Sequence, residues 1–544
     1  MGSPLDYRYL PPIALIAFLA HSSTLDLWFV ATDTLPLIEA SRVTEPAGIV
    51  DLFTRPLMAG TDFVARALFY RPVASATYAI DYALWGLTPF GYHLTNLVLH
   101  AVATGLAVIT ITDVTDRPRV GYLSGLLFTV HPVTAEVVPV IARRQDVLLT
   151  VFVLGTVSLF VRWHRRWQHH RSGDRGWTLR PYRPLVAALF GYALALGSKE
   201  TALVVPALVG IWALLQGTHD RTRERLQAAL AAVGPFAAVT LGYLVIRVVV
   251  LGGVGGYSSP PPLGELPSYT PGNVLLTAEK YVRWAVLPIR FGDLGSAAPT
   301  ARPVVPVLVG VVVLGGIGFV ALRGHRPLVR PRSRQLVFFG CWFVGPLVGL
   351  LLARQILLQP RSFGFGIRNA YGVLVPVLAG FSTVLLESLD RIRTHVERPR
   401  SPGNLGGNLA VVTVLSVILV TTVAASPVFS ANSGWEAAGE LNQRSLEGVG
   451  DALEDTPNAT TVYLVEIPNR FDARNASGRN ARSVTPLLPY SIEAWLALHQ
   501  SSPPQVYLIR PQTVGTAPDR VSFETRVRGD EVVLRVDDAS SSTD

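Results

Sequence analysis

Apolar runs approaching the length of a bilayer crossing recur along most of this chain. They lie near 11–31, 92–112, 120–136, 146–162, 185–197, 200–216, 228–251, 303–322, 335–353, 369–388 and 409–428. A spanning helix takes about 20 mostly apolar residues, so the pattern predicts an all-α polytopic membrane protein with about eleven transmembrane helices. Composition agrees: 16% of the residues are charged, where a soluble domain carries roughly a quarter. Mean hydropathy is +0.37. A disordered chain is excluded, as is a nucleic-acid partner. The single cysteine, Cys341, excludes an intrachain disulfide and a cysteine metal site. The first run follows Arg8 and is interrupted by His21 and Asp26. No small-residue cleavage site follows it, which favours a retained span over a signal peptide.

Arginine clusters set the expected orientation. They fall in 113–119, 162–183, 221–225, 323–334 and 391–400. An odd number of spans and a cytoplasmic N-terminus put all five on the cytoplasmic side, in accord with the positive-inside rule. The segments 32–91, 137–145, 198–199, 252–302 and 354–368 then face outward. The expected location is a multi-pass position in the cell membrane. Within 252–302, a Gly/Pro-rich stretch precedes EKYVRWAVLP (279–288), which reads as an interfacial helix.

The sequence divides into a transmembrane domain, 1–429, and a small C-terminal extracytoplasmic α/β domain, 430–544. In the latter, TTVYLVEI (460–467) and QVYLIR (505–510) read as buried strands. SIEAWLALHQ (491–500) reads as a helix capped by Ser491. VSFETRV and VVLRV flank Gly529-Asp530, a hairpin signal. Two sequons, at Asn458 and Asn475, accord with an outer location.

Charged groups near a bilayer are functional candidates because burying them there is expensive. On the expected outer face these are Asp33, Arg71, His131, Glu136, Arg143, Arg144, Asp146, Lys199, Glu200, Glu279, Lys280, Arg283 and Arg368, with Tyr371 beside the last. Carboxylates mixed with fixed cations suit transfer from a lipid-linked phosphate. Cations hold the leaving phosphate, and a carboxylate takes the proton of the attacking hydroxyl. Lys199 and Lys280 are the only lysines in the chain. A lysine kept where arginine is otherwise used suggests a compact point charge.

Several segments carry a family resemblance, in order over about residues 10–390. YRPVASATYAIDYALWGLTPFGYHLTNLVLHA (70–101) resembles YRPL…LNY…G…PFGFHLVNVLLHA. HPVTAEVVPVIARRQDVL (131–148) resembles HPVHTEAV…GRxDLL. GSKETALVVP (197–206) resembles LSKExAL, KYVRWAVLP (280–288) resembles YLxxLLLP, and RNAYGVLVP (368–376) resembles ERYLYLP. The chain is similar to the TMTC-type O-mannosyltransferases and their prokaryotic and archaeal relatives in the GT-C superfamily of polyprenyl-phosphate-sugar glycosyltransferases.

The resemblance implies a GT-C fold and an enzyme that moves a sugar, mannose first among candidates, from dolichyl or polyprenyl phosphate. The acceptor is a glycan or protein on the outer face, and the transfer inverts. It implies Asp33 in WFVATDTLPLI (28–38) as general base. Thr34 stands where the family's second acidic residue is expected, and one carboxylate is a poor site for a hard cation. No metal and no cofactor beyond the donor is therefore indicated. Asp62 or Glu136 is the candidate for the missing carboxylate. Arg71, Arg144, Lys199 and Arg368 are implied contacts to phosphate, with Lys280 beside them. Glu136, Asp146 and Glu200 orient those cations or bind sugar hydroxyls. His131 ends a span before Pro132. Tyr70, Trp284 and Tyr371 suit stacking on sugar or the interfacial aromatic belt.

The sequence also departs from the family. Ile367 replaces a glutamate, Arg143 replaces a glycine, and 430–544 shows no 34-residue repeat. The acceptor therefore does not carry over. The alternatives are a lipid acceptor, a flippase for lipid-linked sugars, and a scaffold. A transporter is expected to show internal repeats and midplane charges; here the charges collect at one face.

Overall fold

The computed structural model describes residues 6–170, 182–216, 222–257, 285, 331–352, 368–397, 405–424, 433–472, 483–484 and 487–537. Lys280, Trp284, the helix expected near 279–288, the span expected near 303–322 and the sequon at Asn475 lie outside these residues.

The N-terminal part is helical apart from two short strands, β1 (Ala67–Leu68) and β2 (Gly256–Tyr257), which pair antiparallel. Helix α1 (Leu10–Ala20) is shorter than the run 11–31, which continues as a 3-10 turn, Ser22–Asp26. The segment 32–91 folds into α2 (Thr34–Ser41), α3 (Ala47–Thr54), α4 (Phe63–Arg66) and α5 (Pro72–Trp85). Then come α6 (Pro89–Thr115), α7 (Pro118–Val130), α8 (Arg144–His170), α9 (Arg183–Ser198), α10 (Val205–Gln216) and α11 (Thr222–Leu251). After them stand α12 (Pro331–Leu352), α13 (Tyr371–Glu397) and α14 (Leu405–Ala424). Residues 200–204, expected to open a span, form a separate 3-10 turn.

Proline in the first turn opens α5, α6, α7 and α9, where its missing N–H removes no helical bond. Asp116, with φ 55, closes α6 in the left-handed region. Extended Arg117 leads into Pro118, as a residue before proline favours. Among the described residues, four helical segments are long and apolar enough to cross a membrane: Pro89–Thr115, Ile141–Gln168, Arg223–Leu251 and Arg368–Glu397. Shorter apolar helices accompany them.

The helices pack on one aromatic-rich core that includes Phe128, Phe160, Tyr192, Trp212, Phe236, Phe338 and Tyr371. Gly121 lets α7 approach α6. A Cβ there would stand 2.6 Å from the Val108 carbonyl oxygen and closer still to Thr112 Oγ1. Because backbone cannot yield, Gly121→Ala is expected to cost about 1–3 kcal/mol, read as a lower melting temperature in detergent. At the end of the bundle away from Asp33, ion pairs tie helices together: Arg162–Asp113 at 2.8 Å, Arg165–Asp116 at 2.5 Å and Arg332–Glu387 at 2.8 Å.

The C-terminal segment opens with α15 (Ser433–Glu454). Strands β3 (Thr461–Val465), β6 (Gln505–Ile509), β8 (Phe523–Arg528) and β9 (Glu531–Val536) form one sheet in the order β6-β3-β9-β8. β3 is parallel to both β6 and β9, and β8–β9 is an antiparallel hairpin turning through Gly529 at φ 66. Helix α16 (Pro489–His499) makes the crossover from β3 to β6. A smaller sheet joins β4 (Pro468–Asp472), β5 (Ser483–Val484) and β7 (Gln512–Val514). Of the expected elements, Ser491 is displaced. It lies inside α16, and Leu488 holds the cap position.

This segment does not stand apart. Leu35, Leu37 and Ile38 of α2 and Tyr78 of α5 share one hydrophobic core with Leu446, Leu464, Ile492, Leu496 and Leu534. The sequence boundary near 430 thus separates chain, while the packing joins residues 27–92 to the tail.

Candidate active site

The up-and-down order of the helices brings the motif residues to one end of the bundle. Asp33 follows α1 and occupies the N-cap position of α2. An aspartate there ordinarily accepts from the helix's own first amides, but Asp33 makes no such bond. Its Oδ1 accepts instead from the Tyr490 hydroxyl at 2.9 Å and from Thr32 Oγ1 at 3.2 Å. Two residues earlier, Ala31 sits at φ 70, a conformation costing a residue with a Cβ about 1 kcal/mol.

Arg143, in the 3-10 turn Ile141–Arg143, is the cation nearest in sequence to α8 that faces this region. Asp33, Asp146 and Arg368 all lie close enough to act on its charge. It donates to the Glu136 carbonyl oxygen, pairs with the Glu136 carboxylate at 3.4 Å, and lies over the Trp435 ring. Glu136 is buried beneath it. Asp62, by contrast, is exposed.

Arg144 sits elsewhere. It is fully enclosed: Nε donates to Asn96 Oδ1 at 2.7 Å, Nη1 to the Thr77 carbonyl at 3.2 Å, and Nη2 to the Tyr92 carbonyl at 3.0 Å, with Asp81 Oδ2 at 2.5 Å. The sequence reading placed a phosphate contact here. Enclosure leaves this guanidinium no face toward a cleft, whereas its neighbour Arg143 keeps 13% of its side chain exposed. The arginine that departs from the family's glycine is therefore the one turned toward Asp33.

Lys199, between α9 and the 3-10 turn Glu200–Val204, pairs with Asp146 Oδ1 and donates to Asn369 Oδ1 at 3.2 Å. Burial pushes its ammonium down from the usual lysine range and Asp146 pushes it back up, while Arg368 and Arg71 add like charge. Asp146 Oδ2 is buried without a partner among the described residues. Lys199, Asp146 and Asn369 stand at a pocket whose remaining wall is largely apolar: Leu149, Val153, Leu154, Val204, Trp342, Pro346 and Val373.

Arg71, at the N-cap of α5 before Pro72, turns its guanidinium to Glu200 Oε2 at 2.8 Å and Gln145 Oε1 at 2.6 Å, over the Phe69 ring. Glu200 is shared with Arg247, whose Nη1 donates at 2.8 Å. Arg247 lies within the apolar helix α11. A charge in such a run is itself a signal, and the sequence reading passed over it. Tyr371 is buried, its hydroxyl on His100 Nδ1 at 2.7 Å. His131 ends α7, as its position before Pro132 implies, and its Nδ1 accepts from the Val133 amide at 3.3 Å. Neither side chain faces an opening.

Among the described residues, Asp33, Glu136, Arg143, Asp146, Lys199 and Arg368 thus form one electrostatic group of three carboxylates and three cations. No set of three or more His, Cys, Asp or Glu side chains is gathered there as a metal site. A polar groove lies beside it between α2 and α16, lined by Glu39, Arg42, Asp62, Tyr490, Glu493 and Tyr507 among others.

Comparison with curated proteins yields a consistent set of relatives. Protein O-mannosyl-transferase Tmtc2 of Drosophila melanogaster is 28% identical over 261 residues, 46% of this chain and 26% of its own length. Tmtc1 of the same organism is 28% identical over 233 residues, 42% of this chain and 25% of its own length. Human TMTC2 is 31% identical over 110 residues, 20% of this chain and 13% of its own length. Over part of its length the chain is thus similar to TMTC-type O-mannosyltransferases. The matches span about a quarter or less of these relatives. No family model matches the chain.

Among solved structures, the oligosaccharyltransferase of Archaeoglobus fulgidus is similar at a TM-score of 0.43 and 13% identity, covering 82% of this chain and 55% of that one. ArnT of Cupriavidus metallidurans bound to undecaprenyl phosphate is similar at 0.41 and 13%, covering 92% and 86%.

Proposed function

We propose that the chain is a GT-C membrane glycosyltransferase that moves a sugar, mannose first among candidates, from dolichyl or polyprenyl phosphate to an acceptor hydroxyl on the outer face, with inversion. The observation that carries this is the cationic group of Arg143, Lys199 and Arg368 set between Asp33 and an apolar pocket. Lys199 and Arg143 already face Asp146 and Glu136, and a donor phosphate adds a further anion within reach of the same cations. The apolar wall suits a prenyl chain, and the cations suit the phosphate at its head. The resemblance to O-mannosyltransferases supports the choice of sugar.

In this reading Asp33 takes the proton of the acceptor hydroxyl as its oxygen attacks the anomeric carbon on the face opposite the phosphate. The new glycosidic C–O bond forms while the bond from the anomeric carbon to the phosphate oxygen breaks. The electron pair leaves with polyprenyl phosphate, whose charge the three cations stabilise. Asp146 Oδ2, unpartnered among the described residues, accepts from a sugar hydroxyl. The acceptor approaches by the groove between α2 and α16, where Tyr490 touches both groove and Asp33. The N-terminus is cytoplasmic and the C-terminal segment extracytoplasmic.

The test is transfer in isolated membranes supplied with radiolabelled dolichyl-phosphate mannose. Label is expected to reach a glycan or protein, and excess unlabelled dolichyl phosphate to suppress it. Transfer from a different polyprenyl-phosphate sugar changes only the sugar assignment. No transfer from any such donor overturns the reading.

A further inference from the structure

We infer that the C-terminal segment completes the reactive site, with Tyr490 as the positioning residue that orients Asp33. The inference rests on the function proposed above. Three hydrogen bonds from this segment fall on the short stretch that carries the carboxylate. Asn442 of α15 donates to the Phe29 carbonyl at 2.9 Å, Ser491 of α16 to the Thr32 carbonyl at 2.8 Å, and Tyr490 to Asp33 Oδ1 at 2.9 Å. These partners are 413, 459 and 457 residues apart in the chain, so no local preference of the sequence produces them.

The conformation of Asp33 strengthens the case. A free aspartate at the start of a helix turns its carboxylate onto the helix's amides, and that bond is worth about 1 kcal/mol. Here the carboxylate is turned away, to the phenol of another segment. With Oδ1 held by Tyr490 and Thr32, Oδ2 remains for an acceptor hydroxyl. A phenol donating to a carboxylate fixes its direction. The ring of Tyr490 is itself placed, meeting Phe63 edge-on at 6.3 Å between centroids, and the backbone beside it is held through Ser491. The tail is therefore a working part of the transferase.

The experiment measures transfer kinetics on full-length protein in membranes for Tyr490→Phe, which keeps the packed ring and deletes one hydroxyl. The expected result is a fall of about tenfold in kcat, the scale of one hydrogen bond to a charged group, with the donor KM unchanged. Tyr463→Phe, on β3 of the same segment, is expected to leave both constants at the native values. Tyr490→Phe is expected to add no further loss to Asp33→Asn, because the two changes remove the same function. Native kcat in Tyr490→Phe overturns the inference, and so does a rise in donor KM matching the loss of rate. If the native protein transfers no sugar at all, the proposed function fails separately. The contact is then read from a melting-temperature cycle of Tyr490→Phe with Asp33→Ala, where coupling supports the positioning role and strict additivity overturns it.

Discussion

Replacing Asp33 with asparagine is expected to lower sugar transfer by roughly 10²–10⁴-fold, the usual contribution of a positioned general base. The amide keeps the shape of the side chain and can still accept from Tyr490 and Thr32, so the fold around α2 should persist. What it loses is proton affinity. In the proposed mechanism the donor is held by groups the substitution does not replace, namely Lys199, Arg143 and Arg368. The prediction therefore has two parts, measured together: initial rates of transfer fall, and retention of labelled dolichyl phosphate by the purified protein does not. A rate within threefold of native would remove Asp33 from the reaction. The structure offers weak substitutes, since Asp62 is exposed and Glu136 lies buried under Arg143.

What the sequence conveyed about this site follows a physical division. Runs of apolar residues report burial in a bilayer directly, so the helices from α6 to α11 stand close to their expected positions. Lys199 and Asp146 stand out in the sequence because charge at the end of an apolar helix has few uses. Their pairing, and the pocket beside them, required α8 and α9 to be packed. The exchange between Arg143 and Arg144 was not legible. Both are arginines in one turn, and only the fold decides which is enclosed by Asn96 and Asp81. Tyr490 was invisible for a different reason. Its function is created wholly by a long-range contact, and an isolated tyrosine at a helix start reads as packing. The α/β character of the tail came from alternating apolar strands and the Gly529-Asp530 turn. The short strands β4, β5 and β7 lack such a pattern, and the sequence did not mark them.

The adjacent arginines give the second large effect, and they separate folding from chemistry. Arg144→Leu is expected to destabilise the protein by about 3–5 kcal/mol, because it leaves Asp81 charged, buried and uncompensated. The loss extends beyond that pair. Asn96, which receives Arg144 Nε, also donates to the Val138 and Val140 carbonyls at 3.3 Å each, and Tyr78 donates to the Ile141 carbonyl at 2.9 Å. Together these bonds fasten the turn 138–144 to α5 and α6. Asp81→Leu combined with Arg144→Leu should recover part of the stability, because the isolated charge is gone although the carbonyls of Thr77 and Tyr92 stay unsatisfied. Arg143→Gln is expected to behave differently. It keeps a donor for the Glu136 carbonyl and removes a charge that faces Asp33, so melting in detergent should move far less. Transfer should fall by roughly 10²–10³-fold, the scale of losing one group that stabilises developing charge. Melting curves and initial rates on both variants decide it. If Arg143→Gln loses stability as Arg144→Leu does and keeps its rate, the turn is only a structural brace. If the effects divide as expected, the buried arginine exists to hold its neighbour at the phosphate.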